Sequence, residues 1–191
     1  MVLPPQKMEQ MISLYQQQMT RLALAVRSCI PLAKRTYSKH LLLLGPETKS
    51  SVACVIGKGL AKQYYRDIQG NEVITGFWRM NEVMLQPENF FFEMEAPEYI
   101  QLLEETELEI FGLPALLTAE SNHPQLRLKE SIIQISRMRE RIHHELKRCD
   151  TLSALTHLDK LYPLNRISRK DIASYLGKAP GSISRGKRHD P

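Results

Sequence analysis

Residues 166–191, RISRKDIASYLGKAPGSISRGKRHDP, have the spacing of two short helices joined by a tight turn. Ser168 offers a hydroxyl that caps the first helix, and Asp171, three positions on, puts a carboxylate into its first turn. Ile172, Ala173, Leu176, Gly177 and Ile183 fill the slots of a helix-turn-helix: apolar residues for packing, a small residue where helices cross, and a glycine for the turn. The second helix starts at Pro180, whose fixed φ suits a first helical position, and displays Ser182, Ser184, Arg185, Lys187 and Arg188. The fork of Arg185 matches the two acceptors on a guanine edge. Arg169, with Lys170 beside it, stands at the start of the first helix, where a cation clamps phosphate. Lys187 and Arg188 read equally well as a basic terminus touching phosphates without selectivity. Gly181 brings no side chain to the recognition surface. Gly186 replaces an apolar anchor at a helix cost of about 1 kcal/mol relative to Ala. Only five residues follow Gly186, too few for a β-wing.

The charge distribution favours the same end of the chain. Residues 1–120 carry 11 Lys and Arg against 14 Asp and Glu, a net of −3, whereas residues 121–191 carry 15 against 7, a net of +8. Such asymmetry points to a polyanion for the C-terminal part, with a solvated basic helical surface as the plainer alternative.

Upstream of the tail, TLSALTHLDKLYP forms a short helix ending at Pro163. Before it, Leu128, Ile132, Ile135, Ile142 and Leu146 fall at spacings of 4, 3, 7 and 4, with Arg139 in the missing slot of a heptad seam. One long amphipathic helix follows. Its stripe either packs on the chain's own β-layers or pairs with its twin in a parallel dimer. Ile133 and Met138 widen the apolar face enough for both, and a dimer interface through Leu128, Ile132, Ile135, Arg139, Ile142 and Leu146 is the expectation.

From about residue 40 to 111, short alternating or apolar runs are separated by turn residues, Gly-Lys-Gly and Gln69-Gly70-Asn71 among them. An antiparallel sandwich or barrel is expected there. The N-terminal segment has a helical stripe of Met8, Ile12, Tyr15, Met19, Leu22 and Val26 that stops before Pro31.

Several function classes are disfavoured. No apolar run approaches the roughly 20 residues of a membrane span, and no signal-peptide core is present, so a cytoplasmic protein without a membrane partner is expected. Three scattered cysteines, Cys29, Cys54 and Cys149, suggest neither disulfides nor a metal knuckle. A redox role for Cys149 beside Arg148 has only an adjacent cation in its favour. His143 and His144 point about 100° apart on a helix and read as surface residues rather than metal ligands. The β-region holds only His40, too little for a metal-dependent jelly-roll enzyme, and no nucleophile triad or carboxylate pair emerges. The chain is read as a non-enzyme without a cofactor.

VIGKGLAKQYYRDIQGNEVITGFW, the long helix RLKESIIQISRMRERIHHELKR and the tail DIASYLGKAPGSISR together resemble the Crp/Fnr family of bacterial transcription regulators, over residues 38–188. The resemblance implies an α+β fold in three parts. Residues 1–120 become an antiparallel jelly roll of the cyclic-nucleotide-binding kind, residues 121–148 a dimerising helix, and residues 149–191 a short helix-turn-helix. It implies a homodimer on double-stranded DNA, with a small-molecule effector and RNA polymerase as further partners. The phosphate-contacting arginine maps to Arg169 and the base-reading arginine to Arg185, while the other two recognition positions map to Pro180 and Gly181. The Gly-Glu and Arg-Ser pairs that grip a cyclic nucleotide are missing from EVMLQPENFFFEMEAPEYI. Between Asn81 and Leu126 there is no Lys or Arg to offset a phosphodiester, and ten glutamates repel one, so no response to cyclic AMP is expected. Those glutamates read as solvated surface, and Phe90, Phe91 and Phe92 as core or cover rather than the wall of a pocket.

Overall fold

The computed structural model describes residues 3–46, 48 and 52–186. The chain opens with helix α1 (Pro5–Cys29), which begins at a proline and is followed by strands β1 (Ala33–Tyr37), β2 (Leu42–Leu44), β3 (Val52–Lys58), β4 (Leu60–Arg66), β5 (Glu72–Arg79) and β6 (Val83–Met84). Helix α2 (Pro87–Phe92), strands β7 (Tyr99–Leu102) and β8 (Thr106–Gly112) and helix α3 (Leu113–Asn122) come next. The remainder is helical: α4 (Leu128–Arg148), α5 (Thr151–Leu161), α6 (Arg169–Leu176) and α7 (Pro180–Gly186).

The strands form two antiparallel sheets of four, in the orders β1-β8-β3-β6 and β2-β7-β4-β5. Alternation along the strands builds two cores, because successive side chains point to opposite faces. Cys54 and Ile56 of β3 join Trp78, Ile100, Leu102 and Leu108 in one apolar cluster drawn from both sheets. Ala53 and Val55 of the same strand face the other way and join the core shared with the helices. The Asp67 carboxylate accepts the backbone N–H groups of Gln69 and Asn71 at 2.9 and 2.8 Å, and Gly70 supplies φ +81°, closing the hairpin at the expected step. Gly59 joins β3 to β4 at φ +117°, where a Cβ would collide with the Thr106 side chain, so only glycine fits.

The long seam is covered by the chain itself. The α1 stripe of Met8, Ile12, Tyr15, Met19, Leu22 and Val26 is at most 4% exposed and lies along α4, whose Leu128, Ile132, Ile135, Ile142 and Leu146 are at most 3% exposed. The two helices run antiparallel: the Leu3 amide donates to Glu145, while Arg21 and Ala25 share a groove with Leu128 and Ser131. The surface expected to meet a twin is therefore already filled within one chain, by α1 rather than by a second copy. Arg139 is likewise turned inward. Its guanidinium lies 4.2 Å from the Trp78 ring centre and donates to the Gln63 side chain at 3.2 Å. Periodicity identified the buried face of each helix, but it carries no label for the partner that covers it.

Candidate nucleic-acid interface

Helices α6 and α7 form as the local chemistry dictates. The Ser168 hydroxyl accepts the Asp171 N–H at 3.0 Å, the cap read from the sequence. Gly177 ends α6 at φ +62°, and the next amide, Lys178 N–H, reaches back to the Ala173 carbonyl at 2.9 Å. Helix α7 starts at Pro180, and fully buried Ile183 anchors it.

Of the residues expected to contact DNA, Arg169 and Lys170 are exposed at the start of α6, and Ser182 is half-buried on the first turn of α7. The side chains of Ser184 and Arg185, and Lys187 and Arg188 altogether, lie outside the described residues. Gly181 presents no side chain, and a Cβ there would meet nothing within 4 Å.

The inner face of α6 is fastened to the sheet. The Ser174 hydroxyl accepts the Ile74 N–H at 3.0 Å and donates to the Glu72 carbonyl at 3.1 Å, extending the edge of β5. Buried Lys62 on β4 bridges Glu72 at 2.5 Å and Asp171 at 3.4 Å. Tyr175 packs on Phe77 with ring centres 5.2 Å apart and stacks on His143 at 4.0 Å, and the His143 ring nitrogen meets the Tyr175 carbonyl at 2.7 Å. His143 is therefore not the surface residue expected; burial pushes its imidazole down to about 4, so it stays neutral at physiological pH. His144 is exposed as expected.

Two of the glutamates read as solvated surface are buried. Glu109 pairs with Arg27 at 2.5 Å and Lys34 at 3.3 Å; burial raises its carboxyl, but the two cations outweigh burial and hold it below the usual range. Glu82 sits in the turn between β5 and β6, 4% exposed, where its carboxylate accepts the Arg79 N–H at 3.1 Å. Burial pushes its carboxyl up to about 7, against the smaller opposing pull of Arg79, Arg139 and Tyr15. A local glutamate-rich pattern gave no sign of this burial, because the covering residues come from distant helices.

Cys54 is buried, and its thiol is pushed up to about 12. The Cys149 thiol is also raised, by burial first and then by Asp150 and Glu145, which together outweigh the opposing pull of Lys178. Phe90 is core, set edge-on to Phe91 and Phe111; Phe92 is exposed, with Lys129 of α4 5.8 Å above its ring. No helix among the described residues is long and apolar enough to cross a membrane.

The architecture is shared with solved structures. FixK2 from Bradyrhizobium japonicum superposes with a TM-score of 0.67 at 18% identity, covering 82% of this chain and 83% of that one. A CooA double mutant from Carboxydothermus hydrogenoformans gives 0.61 at 12% identity, over 83% of this chain and 75% of that one. The catabolite activator protein of Thermus thermophilus gives 0.52 at 16% identity, over 88% and 81%. These are Crp/Fnr regulators, and at such identities the likeness is one of fold. No family model and no curated protein sequence matches the chain.

Proposed function

We propose that the chain is a DNA-binding transcription regulator of the Crp/Fnr type that does not respond to cyclic AMP. The α6–α7 pair carries this reading: a capped helix, a left-handed glycine turn and a second helix, with Arg169 and Lys170 exposed at its edge. In this reading Arg169, Lys170, Lys187 and Arg188 hold phosphates, while Ser182, Ser184 and Arg185 face base edges. The strand orders of the two sheets support a jelly-roll effector domain over residues 1–120, followed by a dimerisation helix at 121–148 and a helix-turn-helix at 149–191.

Double-stranded DNA, a second copy of the chain, a small effector and RNA polymerase are its partners in the cytoplasm, and it performs no enzymatic step. Because α1 fills the α4 seam, pairing through that seam requires α1 to leave it, which makes α1 the control on dimerisation.

The test is DNA affinity as a function of salt, with the native chain and an Arg185→Ala variant. A phosphate clamp loses affinity steeply as salt rises. Removing a bidentate base reader costs about 1–3 kcal/mol at one operator position and relaxes preference there. Equal binding of all sequences by both proteins would favour the second reading: a regulator-like ligand- or protein-binding module whose degenerate helix-turn-helix no longer reads DNA. That reading has bare Gly181, at a recognition position, in its favour.

A further inference from the structure

Helices α1 and α4 leave a groove along their outer flank, walled by α1 from Leu3 to Ala25 and by α4 from Arg141 back to Leu128. At a rise of about 1.5 Å per residue it runs for roughly 30 Å. It widens into two cavities, of about 440 Å³ at the Leu3 end and about 400 Å³ at the Ala25 end. The floor is apolar: Met11 and Met138 are half-buried against the core, and Leu14 beside them is 44% exposed. The walls are cationic. Lys7, Arg137 and Arg141 surround the first cavity and Arg21 the second, and none of the four enters an ion pair among the described residues. No Asp or Glu among those residues lines either cavity, and Met1 and Val2, which precede Leu3, have uncharged side chains. Glu130, on the neighbouring flank of α4, already has Arg127 at 3.3 Å and the Gln134 amide at 3.1 Å.

We propose that this groove receives an acidic amphipathic α-helix of a partner protein, laid between α1 and α4 with its apolar stripe on Met11, Leu14 and Met138 and its carboxylates along both edges. Shape sets the kind of partner. A helix of roughly 20 residues fills the length and fits the cleft between two helices, whereas a bilayer or a DNA duplex is too broad to reach the apolar floor. Charge sets the sign, because four unpaired cations on the walls attract carboxylates and repel a basic helix. A second copy is disfavoured for the same reason: two-fold pairing sets the patch on itself, cation against cation. The occupant touches both helices and so ties α1 to α4. Only the consequence for dimerisation rests on the regulator reading above; binding itself does not.

Two peptides of about 20 residues serve as probes, alike in a leucine stripe at helical spacing and in alanine elsewhere, with glutamates at the edges of the stripe in one and lysines in the other. The full-length chain, labelled at its methionine methyl groups, is titrated with each by NMR. Met11 and Met138 report the groove, and Met84, buried between the sheets, is the control. The expected result is a saturable shift of Met11 and Met138 with the glutamate peptide, Met84 unmoved, and binding of the lysine peptide about tenfold weaker. Arg137 and Arg141 are exposed, and the double variant Arg137→Glu with Arg141→Glu brings the two peptides to within about twofold, weakening the first and strengthening the second. A damaged fold cannot produce that gain for the lysine peptide. The proposal is overturned if the glutamate peptide leaves Met11 and Met138 unmoved, if the native chain binds both peptides equally, or if the preference survives the double variant. Shifts of Met11 and Met138 on concentrating the chain alone, with Met19 of the seam unmoved, would give the groove to a second copy, and shifts on adding duplex DNA would give it to nucleic acid; either result also overturns it. Failure of the DNA-binding reading shows separately, as affinity for DNA without salt dependence or sequence preference, and leaves this titration unchanged.

Discussion

Replacing Glu82 by Gln makes stability depend on pH in a way that isolates one buried proton. In the unfolded chain this carboxyl titrates at 4.5, whereas in the fold it titrates at about 7. Below about pH 4.5 it is protonated in both states, and the fold bears no penalty. As pH rises, the unfolded chain releases the proton first, so stability falls until the folded carboxyl also ionises near pH 7 and then levels off. At 1.36 kcal/mol per unit the whole loss is about 3 kcal/mol, of which roughly 2 to 3 falls between pH 5 and pH 8. Glutamine has nearly the same shape, can still accept the Arg79 N–H, and does not titrate. Urea unfolding of both proteins at pH 5, 6, 7 and 8 therefore gives a difference that moves in favour of the Glu82→Gln variant by that amount and is flat above pH 8. A difference independent of pH, or one moving towards the native chain, refutes the burial argument.

The fastening of α6 gives a second test: Lys62→Met strands Asp171 without its buried cation and destabilises the chain by about 3 kcal/mol, and hydrogen exchange in α6 quickens before that in β8. Unchanged α6 protection would show that the bridge does not hold the helix. Deleting residues 1–31 uncovers the α4 seam, so sedimentation of the truncated chain, checked for helicity by circular dichroism, shows stronger self-association than the full chain at the same concentration. A truncated chain that remains monomeric would mean that the seam has no affinity for its twin.

What the sequence disclosed follows the range of the forces involved. The Ser168 cap, the Gly177 turn, the Asp67–Asn71 hairpin and the stripes of α1 and α4 rest on neighbours within one or two turns, and spacing alone reveals them. The covering of α4 by α1 was not legible, since a stripe seeks any apolar surface and two good candidates existed. Glu82 and His143 read as surface residues because their surroundings are assembled from distant elements, α1 and α4 around Glu82 and α6 over His143.

The pairing of α1 with α4 also shapes how the protein is made. Helix α1 leaves the ribosome before α4, and the helix that covers it ends at Arg148, about 120 residues after Cys29, an interval on the order of ten seconds of translation. Throughout that interval its greasy stripe has no native place to go. A nascent chain of this design calls for a chaperone near the ribosome exit, and its yield should drop when that guard is scarce.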